Sequence, residues 1–320
     1  MKVAVVGVVG RTNAGKSTLV NELVGEKVSI VSPCEQTTRN TIRGIVSDPR
    51  GQLVLLDTPG LHKAIGELGR LLNRMARRSA AGTDVTCVVF DASQPPQLED
   101  VGWMQRVAKE RPERVVFVLN KADKSPFFED EYRAAWREAI AGVEANFSAE
   151  AAPADAAPEP VFVKAIASTE GGANAVMDAL FAFADEGELL FDEDIVTDYP
   201  RKLTIADVVR EKYIGRLFQE LPHELGILVR EIHEKRVPGA NGVDEKWEVK
   251  VDALVNRESQ KPMAIGRGAA IVKAVRKASE KELKAIFGVG IELSIEVRVE
   301  RNWMKNQRLL AEMGYLGELV

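Results

Sequence analysis

A glycine-rich turn near the amino terminus ends in a lysine and a serine; it reads Gly10, Arg11, Thr12, Asn13, Ala14, Gly15, Lys16 and Ser17. The turn follows an apolar run and opens a helical pattern. Glycines let backbone N–H groups curl around phosphates, the lysine adds positive charge at their outer oxygens, and the serine hydroxyl can reach Mg²⁺. The spacing therefore predicts a phosphate-binding loop in which Gly10 through Thr18 contact a nucleotide and Ser17 is a metal ligand.

A second motif, Asp57-Thr58-Pro59-Gly60, follows the apolar run Leu53 to Leu56. At the end of a strand beside the phosphate loop, the Asp57 carboxylate can hold a water on Mg²⁺, and the Gly60 N–H can contact a γ-phosphate. The polar stretch Gln36-Thr37-Thr38-Arg39 lies between the two motifs. A threonine there could coordinate Mg²⁺ only while the γ-phosphate is present. We predict Thr38 for this role, with Thr37 as the alternative.

The tetrad Asn120-Lys121-Ala122-Asp123 ends the apolar run Val115 to Leu119. A carboxylate at Asp123 can accept hydrogen bonds from both N1–H and the exocyclic amine of guanine, a pattern that adenine does not offer. The tetrad therefore indicates GTP and GDP as ligands and argues against a kinase or a general ATPase. A later loop should contact the base through a backbone N–H, and we predict Ala165 for that contact.

Leucine occupies position 61, directly after Gly60, where many switch GTPases carry a water-positioning glutamine. Leucine can neither orient nor deprotonate water, so we predict slow intrinsic turnover that a partner accelerates. The predicted catalytic residues are Lys16, Thr38, Gly60 and Asn13. The Asn13 amide oxygen could hold a monovalent cation such as K⁺, or the side chain could only brace the loop.

The elements that must position these motifs alternate between strand-like and helix-like runs, which predicts a mostly parallel, three-layer α/β domain over residues 1–190. Residues 148–160 are a low-complexity insert in this domain, predicted to be a mobile loop. The predicted strands are Val3 to Val9, Leu53 to Leu56, Val85 to Phe90, Val115 to Leu119 and Val161 to Val163. The predicted helices are Ser17 to Val24, Glu67 to Ala80, Glu99 to Lys109 and Asn174 to Ala184.

Residues 198–320 have a different predicted order of elements, α-β-β-α-β, which indicates a smaller α+β domain. Its predicted elements are Thr204 to Leu221, Gly226 to Ile232, Trp247 to Val255, Ala269 to Phe287 and Ile291 to Val299. The residues Ile265, Gly266, Arg267, Gly268 and Ala269 open a helix that carries Lys273, Arg276 and Lys277. An Ile-Gly turn at a helix start beside a sheet is how a KH domain holds single-stranded RNA, so these residues are predicted to bind RNA.

The composition fits a two-domain globular protein, with 320 residues, 45% of them hydrophobic and 28% charged. A net charge of −5 argues against a generally basic nucleic-acid coat, although the part from residue 198 onwards has a small excess of basic residues. Two cysteines without a metal or redox pairing favour a reduced cytoplasm. Without a cleavage pattern or a long apolar run, we predict a chain that is neither secreted nor membrane-spanning.

With these motifs and the KH-like module in one chain, the sequence resembles the Era family of bacterial GTPases. The similarity includes Arg210-Glu211-Lys212 and Met313-Gly314-Tyr315, and it covers the chain apart from residues 148–160. The resemblance implies a P-loop GTPase domain followed by a type II KH domain. It also implies binding to the 3′ end of small-subunit (16S) ribosomal RNA, assistance in 30S subunit assembly, and some association with the inner membrane surface.

One departure from the family pattern concerns the KH loop, which is Gly-x-x-Gly in Era proteins but ends in Ala269 here. A Cβ at that position could hinder a close approach of phosphate, or the loop could be one residue shorter.

Two other functions are compatible with parts of the sequence. An RNA-modification GTPase would need covalent chemistry in the second domain, but residues 198–320 contain no cysteine and no clustered nucleophile and base. A nucleotide sensor without appreciable turnover is compatible with Leu61.

Overall fold

The computed structural model describes residues 1–31, 39–59, 72, 82–145, 159–217, 221–239 and 242–315. The chain divides into two compact units, the first drawn from residues up to Asp198 and the second containing Tyr199 onwards. Several predictions fall outside the described residues: Thr38, Gly60, Leu61, the helix Glu67 to Ala80 apart from Leu72, and nearly all of the 148–160 insert.

The first unit contains a seven-stranded sheet in which β2-β3-β1-β4-β5-β6 lie side by side and β7 pairs with β1. Antiparallel pairing is confined to β2 with β3 and β7 with β1. Because the other strands are parallel, their carboxyl ends share one edge of the sheet. The strands are β1 Lys2–Val9, β2 Ile42–Asp48, β3 Gly51–Asp57, β4 Val85–Asp91, β5 Val115–Asn120, β6 Val161–Lys164 and β7 Asp185–Glu186.

Helices cover both faces of this sheet. Cys87 and Val89 of β4 belong to one buried cluster, whereas Val88 and Phe90 belong to another. Since successive strand residues point to opposite faces, the two clusters lie on opposite sides, and the predicted three-layer architecture is confirmed. The helices are α1 Lys16–Val24, α2 Leu98–Glu110, α3 Glu129–Glu144 and α4 Asn174–Phe183.

The second unit has a three-stranded sheet in the order β10-β9-β8, with β9 parallel to β10 and antiparallel to β8. One face of this sheet packs on helices through a cluster that includes Val209, Val251, Val275 and Leu293. The elements are α5 Arg201–Ile214, α6 Leu221–Glu224, β8 Gly226–Gly239, β9 Gly242–Val255, α7 Lys261–Ile265, α8 Ala270–Phe287, β10 Gly290–Val299 and α9 Gln307–Glu312.

The sequence predictions missed or misplaced several elements. The helix predicted for Thr204 to Leu221 ends at Ile214, where Gly215, a poor helix former, caps it, and Leu221 begins a separate short helix. The strands β8 and β9 extend well beyond their predicted runs, because their outer parts pair with each other through polar residues that give no apolar signal. No prediction was made for β2 or α3. In the described part of the chain, no helix is long and apolar enough to cross a membrane.

Candidate functional site

The phosphate loop lies between β1 and α1, at the edge where the parallel strands end. Gly10 has a φ of 147°, and a Cβ there would come within 2.3 Å of the Val89 carbonyl oxygen. Gly15 has a φ of 98° and is the N-cap of α1. Glycine is therefore required at both positions, and the loop presents the helix N-terminus, which attracts anions. Ser17 and Thr18 stand in the first turn of that helix.

The Lys16 side chain is buried inside this loop, and its ammonium donates to the carbonyl oxygen of Arg11 at 2.8 Å. Burial lowers the pKa of Lys16 to about 8, while the nearby Asp57 carboxylate acts in the opposite direction. A phosphate placed beside Lys16 would add a second negative charge and restore the protonated form.

The residues predicted to hold magnesium fit a divalent cation. Asp57 ends β3 and is fully buried, and neither of its carboxylate oxygens accepts a hydrogen bond of ordinary geometry. Burial raises the pKa of Asp57, and the charge of Lys16 and the hydroxyls of Ser17 and Ser29 oppose that rise. A buried carboxylate beside a serine hydroxyl offers the oxygen ligands that a hard cation prefers. Bound between Ser17 and Asp57, Mg²⁺ would neutralise charge on the β- and γ-phosphates.

Asn120, the first residue of the base-reading tetrad, connects two loops. Its side-chain nitrogen donates to the Ala14 carbonyl at 3.0 Å, and its side-chain oxygen accepts from the Ala167 N–H at 3.1 Å. Lys121 adds a bond from its ammonium to the Asn13 carbonyl at 3.2 Å. The phosphate loop and the base loop therefore form one connected surface.

The Asp123 carboxylate lies at the surface, where a base can reach it. Its side chain is 38% exposed and forms a 3.4 Å ion pair with the neighbouring Lys124. A guanine could replace this exposed pair with two charge-assisted hydrogen bonds, which is the contact predicted for Asp123.

The structure contradicts the role predicted for Ala165. Its N–H donates to the Leu119 carbonyl at 3.0 Å, because β6 continues its pairing with β5 through this residue. The next two N–H groups are also engaged: that of Ile166 donates to the Gly172 carbonyl, and that of Ala167 donates to the Asn120 side chain. Ser168 is exposed, and its N–H donates to no other described residue, so Ser168 is the first donor of this loop available to a base oxygen.

The predicted RNA loop of the second unit begins where Ile265 ends α7. Gly266 has a φ of 75°, and a Cβ there would lie 2.7 Å from Ile271 Cγ1. Gly268 and Ala269 follow with φ of 60° and 61°, both left-handed. Ala269 thus keeps the conformation that a glycine would adopt there, at a cost of about 1 kcal/mol for its Cβ.

A cavity of about 340 Å³ lies beside the start of α8, between this helix and the strands. Lys273 and Arg276 of the helix line it together with Lys250, Ser294 and Ile295 of the strands, and Glu248 and Glu292 also line it. The lining therefore carries three basic side chains against two carboxylates, beside apolar surface on which a base could stack. Arg267 and Lys277, also predicted to contact RNA, are exposed on the same loop and helix.

Comparison with known proteins agrees with this arrangement. Residues 5–121 match the family model described as a 50S ribosome-binding GTPase, and residues 228–304 match the KH domain model. GTPase Era from Treponema denticola is 34% identical over 317 residues, covering 98% of this chain and 100% of that protein. The chain belongs to the Era family. GTPase Era from Geobacter sp. strain M21 is 32% identical and covers 97% of the chain and 96% of its own length.

Solved Era structures share the whole fold. A crystal structure of Era with MgGDPNP and nucleotides 1506–1542 of 16S ribosomal RNA matches with a TM-score of 0.83 at 30% identity, covering 98% of this chain and 99% of that one. An Era variant from Aquifex aeolicus bound to GDP and AlF₄⁻ has the same TM-score and coverage. As an Era-family member, the chain is a GTPase that hydrolyses GTP to GDP and phosphate.

Some residues of this Era-family site gave no motif in the sequence. Asp91, at the end of β4, accepts a 2.6 Å hydrogen bond from Lys121, and Asp100 in α2 lies 3.1 Å from the guanidinium of Arg11. Arg11 is predicted to contact nucleotide as part of the phosphate loop, and its side chain pairs with these carboxylates. Asp91 could have been predicted from its position, because it is an aspartate at the end of β4. Asp100 could not, since nothing in the sequence distinguishes it from other acidic residues in helices.

Proposed function

We propose that this chain is a GTP-driven switch that binds 16S ribosomal RNA through its second unit and assists assembly of the small ribosomal subunit. The observation that carries the proposal is the presence, in one chain, of a connected phosphate and guanine site and of a KH loop beside a cavity that Lys250, Lys273 and Arg276 line. The Era relative crystallised with both MgGDPNP and a 16S ribosomal RNA segment supports the pairing of these two ligands.

The hydrolytic roles follow from the charges around the triphosphate. Lys16 stabilises negative charge on the β- and γ-oxygens, Ser17 and Asp57 hold Mg²⁺, and the Asp123 carboxylate selects guanine. Thr38 and Gly60 are proposed to contact the metal and the γ-phosphate. Since leucine stands at position 61, intrinsic turnover is slow and depends on a partner, such as the small ribosomal subunit.

RNA binding is assigned to Ile265 through Ala269 and to the first turns of α8. The backbone at Gly266 and Gly268 approaches phosphates, and Lys273, Arg276 and Lys277 supply positive charge. Arg276 lies 4.0 Å from Glu280, a weak exposed pair that RNA phosphates can displace. The groove between this helix and β10 accommodates bases.

The proposal includes four further predictions. Residues 1–190 form the GTPase domain and residues 198–320 the KH domain, which the division of the chain around Asp198 supports. Asn13 binds K⁺ at the phosphate loop. The protein is cytoplasmic, and part of it associates peripherally with the inner membrane surface.

Crosslinking to purified 30S subunits, with a GTP analogue and with GDP, tests the proposal. We expect crosslinks between 16S ribosomal RNA and the segment Gly266 to Lys277, with a yield that differs between the two nucleotides. Phosphate release measured with and without 30S subunits should rise when the subunits are present. Crosslinks confined to another segment, or a release rate that 30S subunits leave unchanged, would refute the assignment.

Charge reversal on α8 provides a matched pair of variants. Arg276→Glu places a negative charge in the cavity, whereas Lys281→Glu makes the same change five residues further along α8, at an exposed position that does not line the cavity. We expect the first variant to lose most RNA crosslinking and the second to retain most of it.

A further inference from the structure

A charged cluster outside the nucleotide motifs joins the phosphate loop to the guanine-reading loop. Its members are Arg11, Asp91, Asp100, Lys121 and Tyr132, which we call the Asp91 cluster. The two carboxylate side chains are 4% and 0% exposed, respectively, so both are withdrawn from water. Buried charges are costly unless they are paired, so two cations and two carboxylates in contact form an arrangement that resists rearrangement.

Asp91 contacts both loops. Its Oδ2 accepts from the Lys121 ammonium at 2.6 Å and lies 3.5 Å from the Arg11 guanidinium. The Ser93 hydroxyl donates to its other oxygen at 2.5 Å. Although burial raises the pKa of Asp91, the hydrogen bonds from Lys121 and Ser93 outweigh it and leave the pKa below the ordinary value. Asp91 is therefore ionised at neutral pH and holds the Lys121 ammonium in place.

The position of Lys121 governs that of Asp123. Lys121 has a φ of 63°, and its carbonyl accepts from the Lys124 N–H at 3.0 Å, so the two residues close a turn that contains Asp123. A non-glycine residue with this φ is strained by roughly 1 kcal/mol, so the contacts around it must maintain the conformation. The bonds from the ammonium to Asp91 and to the Asn13 carbonyl are among those contacts, together with the 3.1 Å bond from the Ala122 N–H to the Ala165 carbonyl.

Asp100 belongs to the same cluster and contacts the phosphate loop through Arg11. It lies 3.1 Å from Arg11 and accepts from the Gln97 N–H at 3.0 Å. The Tyr132 hydroxyl stands 3.2 Å from Asp100 and 3.1 Å from the Asp91 carbonyl. Because Asp100 has no bond to Lys121, its loss should disturb Arg11 and leave the turn around Asp123 in place.

We propose that Asp91 is a positioning residue for guanine recognition, which acts by fixing Lys121 against the phosphate loop and so setting the place of the Asp123 carboxylate. Asp91 does not touch the base itself. Asp100, through Arg11, supports phosphate binding without affecting the choice of base.

Affinities for GDP and for inosine diphosphate separate these roles, because inosine diphosphate lacks the exocyclic amine that Asp123 reads. In the full-length protein, Asp91→Asn should weaken GDP binding about tenfold and inosine diphosphate binding clearly less, so that the preference for GDP falls. Asp100→Asn should weaken binding of both nucleotides by the same factor and leave the preference unchanged. A purely structural role for Asp91 would lower the melting temperature without changing the preference.

The control is Asp84→Asn, at the opposite end of β4, where the carboxylate accepts from the Val5 N–H at 2.7 Å. It should change neither affinity nor preference. If Asp91→Asn does not fold, Ser93→Ala provides a milder test, because it removes one hydrogen bond to Asp91 and should shift the preference in the same direction by about twofold or more. The proposal would be overturned if folded Asp91→Asn kept the wild-type preference for GDP over inosine diphosphate. If Asp91→Asn does not fold, the same result in Ser93→Ala would overturn it.

Discussion

The Asn120 side chain lies directly against Gly15: a Cβ built on that glycine would come within 2.2 Å of Asn120 Nδ2. Asn120 is 3% exposed and bonded at both ends of its amide, so it has no space to withdraw. Asn120 can therefore occupy this place only because residue 15 is a glycine. This packing contact connects the guanine-reading tetrad to the phosphate loop.

Replacing Gly15 by alanine should disrupt nucleotide binding through this contact. The new Cβ would meet Asn120, and the φ of 98° would also be strained. We expect GDP affinity to fall by about a hundredfold or more in titrations with a fluorescent analogue. The control Gly25→Ala has a similar φ of 80° and nothing within 4 Å, so it should lose about 1 kcal/mol of stability with normal affinity. Equal affinities in both variants would contradict the contact argument.

A glycine at position 269 should stabilise the KH loop. Ala269 has a φ of 61°, which an alanine adopts only with strain, so Ala269→Gly should raise the free energy of unfolding by about 0.5–1 kcal/mol. Without the Cβ the loop should also bind RNA more tightly. The adjacent Ala270 has a helical φ of −62°, and Ala270→Gly should therefore be destabilising. Chemical denaturation of both variants gives the comparison, and the same sign in each would refute it.

Nucleotide binding should become weaker above pH 8, because burial lowers the pKa of Lys16 to about 8 from 10.5. The unfolded chain keeps this proton up to about pH 10.5, so the burial cost is fully present below pH 8 and is relieved as the pH rises from 8 to 10.5. Phosphate favours the charged lysine, and binding must therefore take up a proton above pH 8. We expect GDP affinity to fall about fivefold from pH 8 to pH 9. Calorimetry in two buffers with different ionisation enthalpies would measure the uptake, and none at pH 9 would count against it.

Removing the Asp57 carboxylate should uncouple the nucleotide from magnesium. In the wild type, chelating Mg²⁺ should release GDP more than tenfold faster, because the two buried carboxylate oxygens hold the ion beside the phosphates. Asp57→Asn should release GDP quickly whether or not a chelator is present, as followed with a fluorescent GDP analogue. Asp48→Asn, at the end of the neighbouring β2, should behave like the wild type; a response to chelation that persists in Asp57→Asn would argue against the site.

Patterns local in sequence predicted much of the fold. The runs that became β1, β3, β4 and β5 are continuous and apolar because parallel strands are buried on both faces. The segment that forms α3 was not predicted, although Tyr132 and Trp136 are buried along it, since its many charges hide its apolar face. The base contact predicted for Ala165 was wrong for another reason, because its N–H donates to the Leu119 carbonyl in strand pairing. Pairing between segments that are distant in sequence cannot be recognised from the residue types alone.

The sequence by itself determined the chemistry of this Era-family protein. Motifs such as Gly10 to Ser17 work through backbone groups and side chains only a few residues apart, so their spacing is sufficient to identify phosphate and guanine binding. Tertiary structure alone decided which distant groups complete the site. Asp91 meets Arg11 and Lys121 because parallel strands bring their carboxyl ends to one edge of the sheet, and Asp100 reaches Arg11 from α2. Both contacts depend on packing across the whole domain.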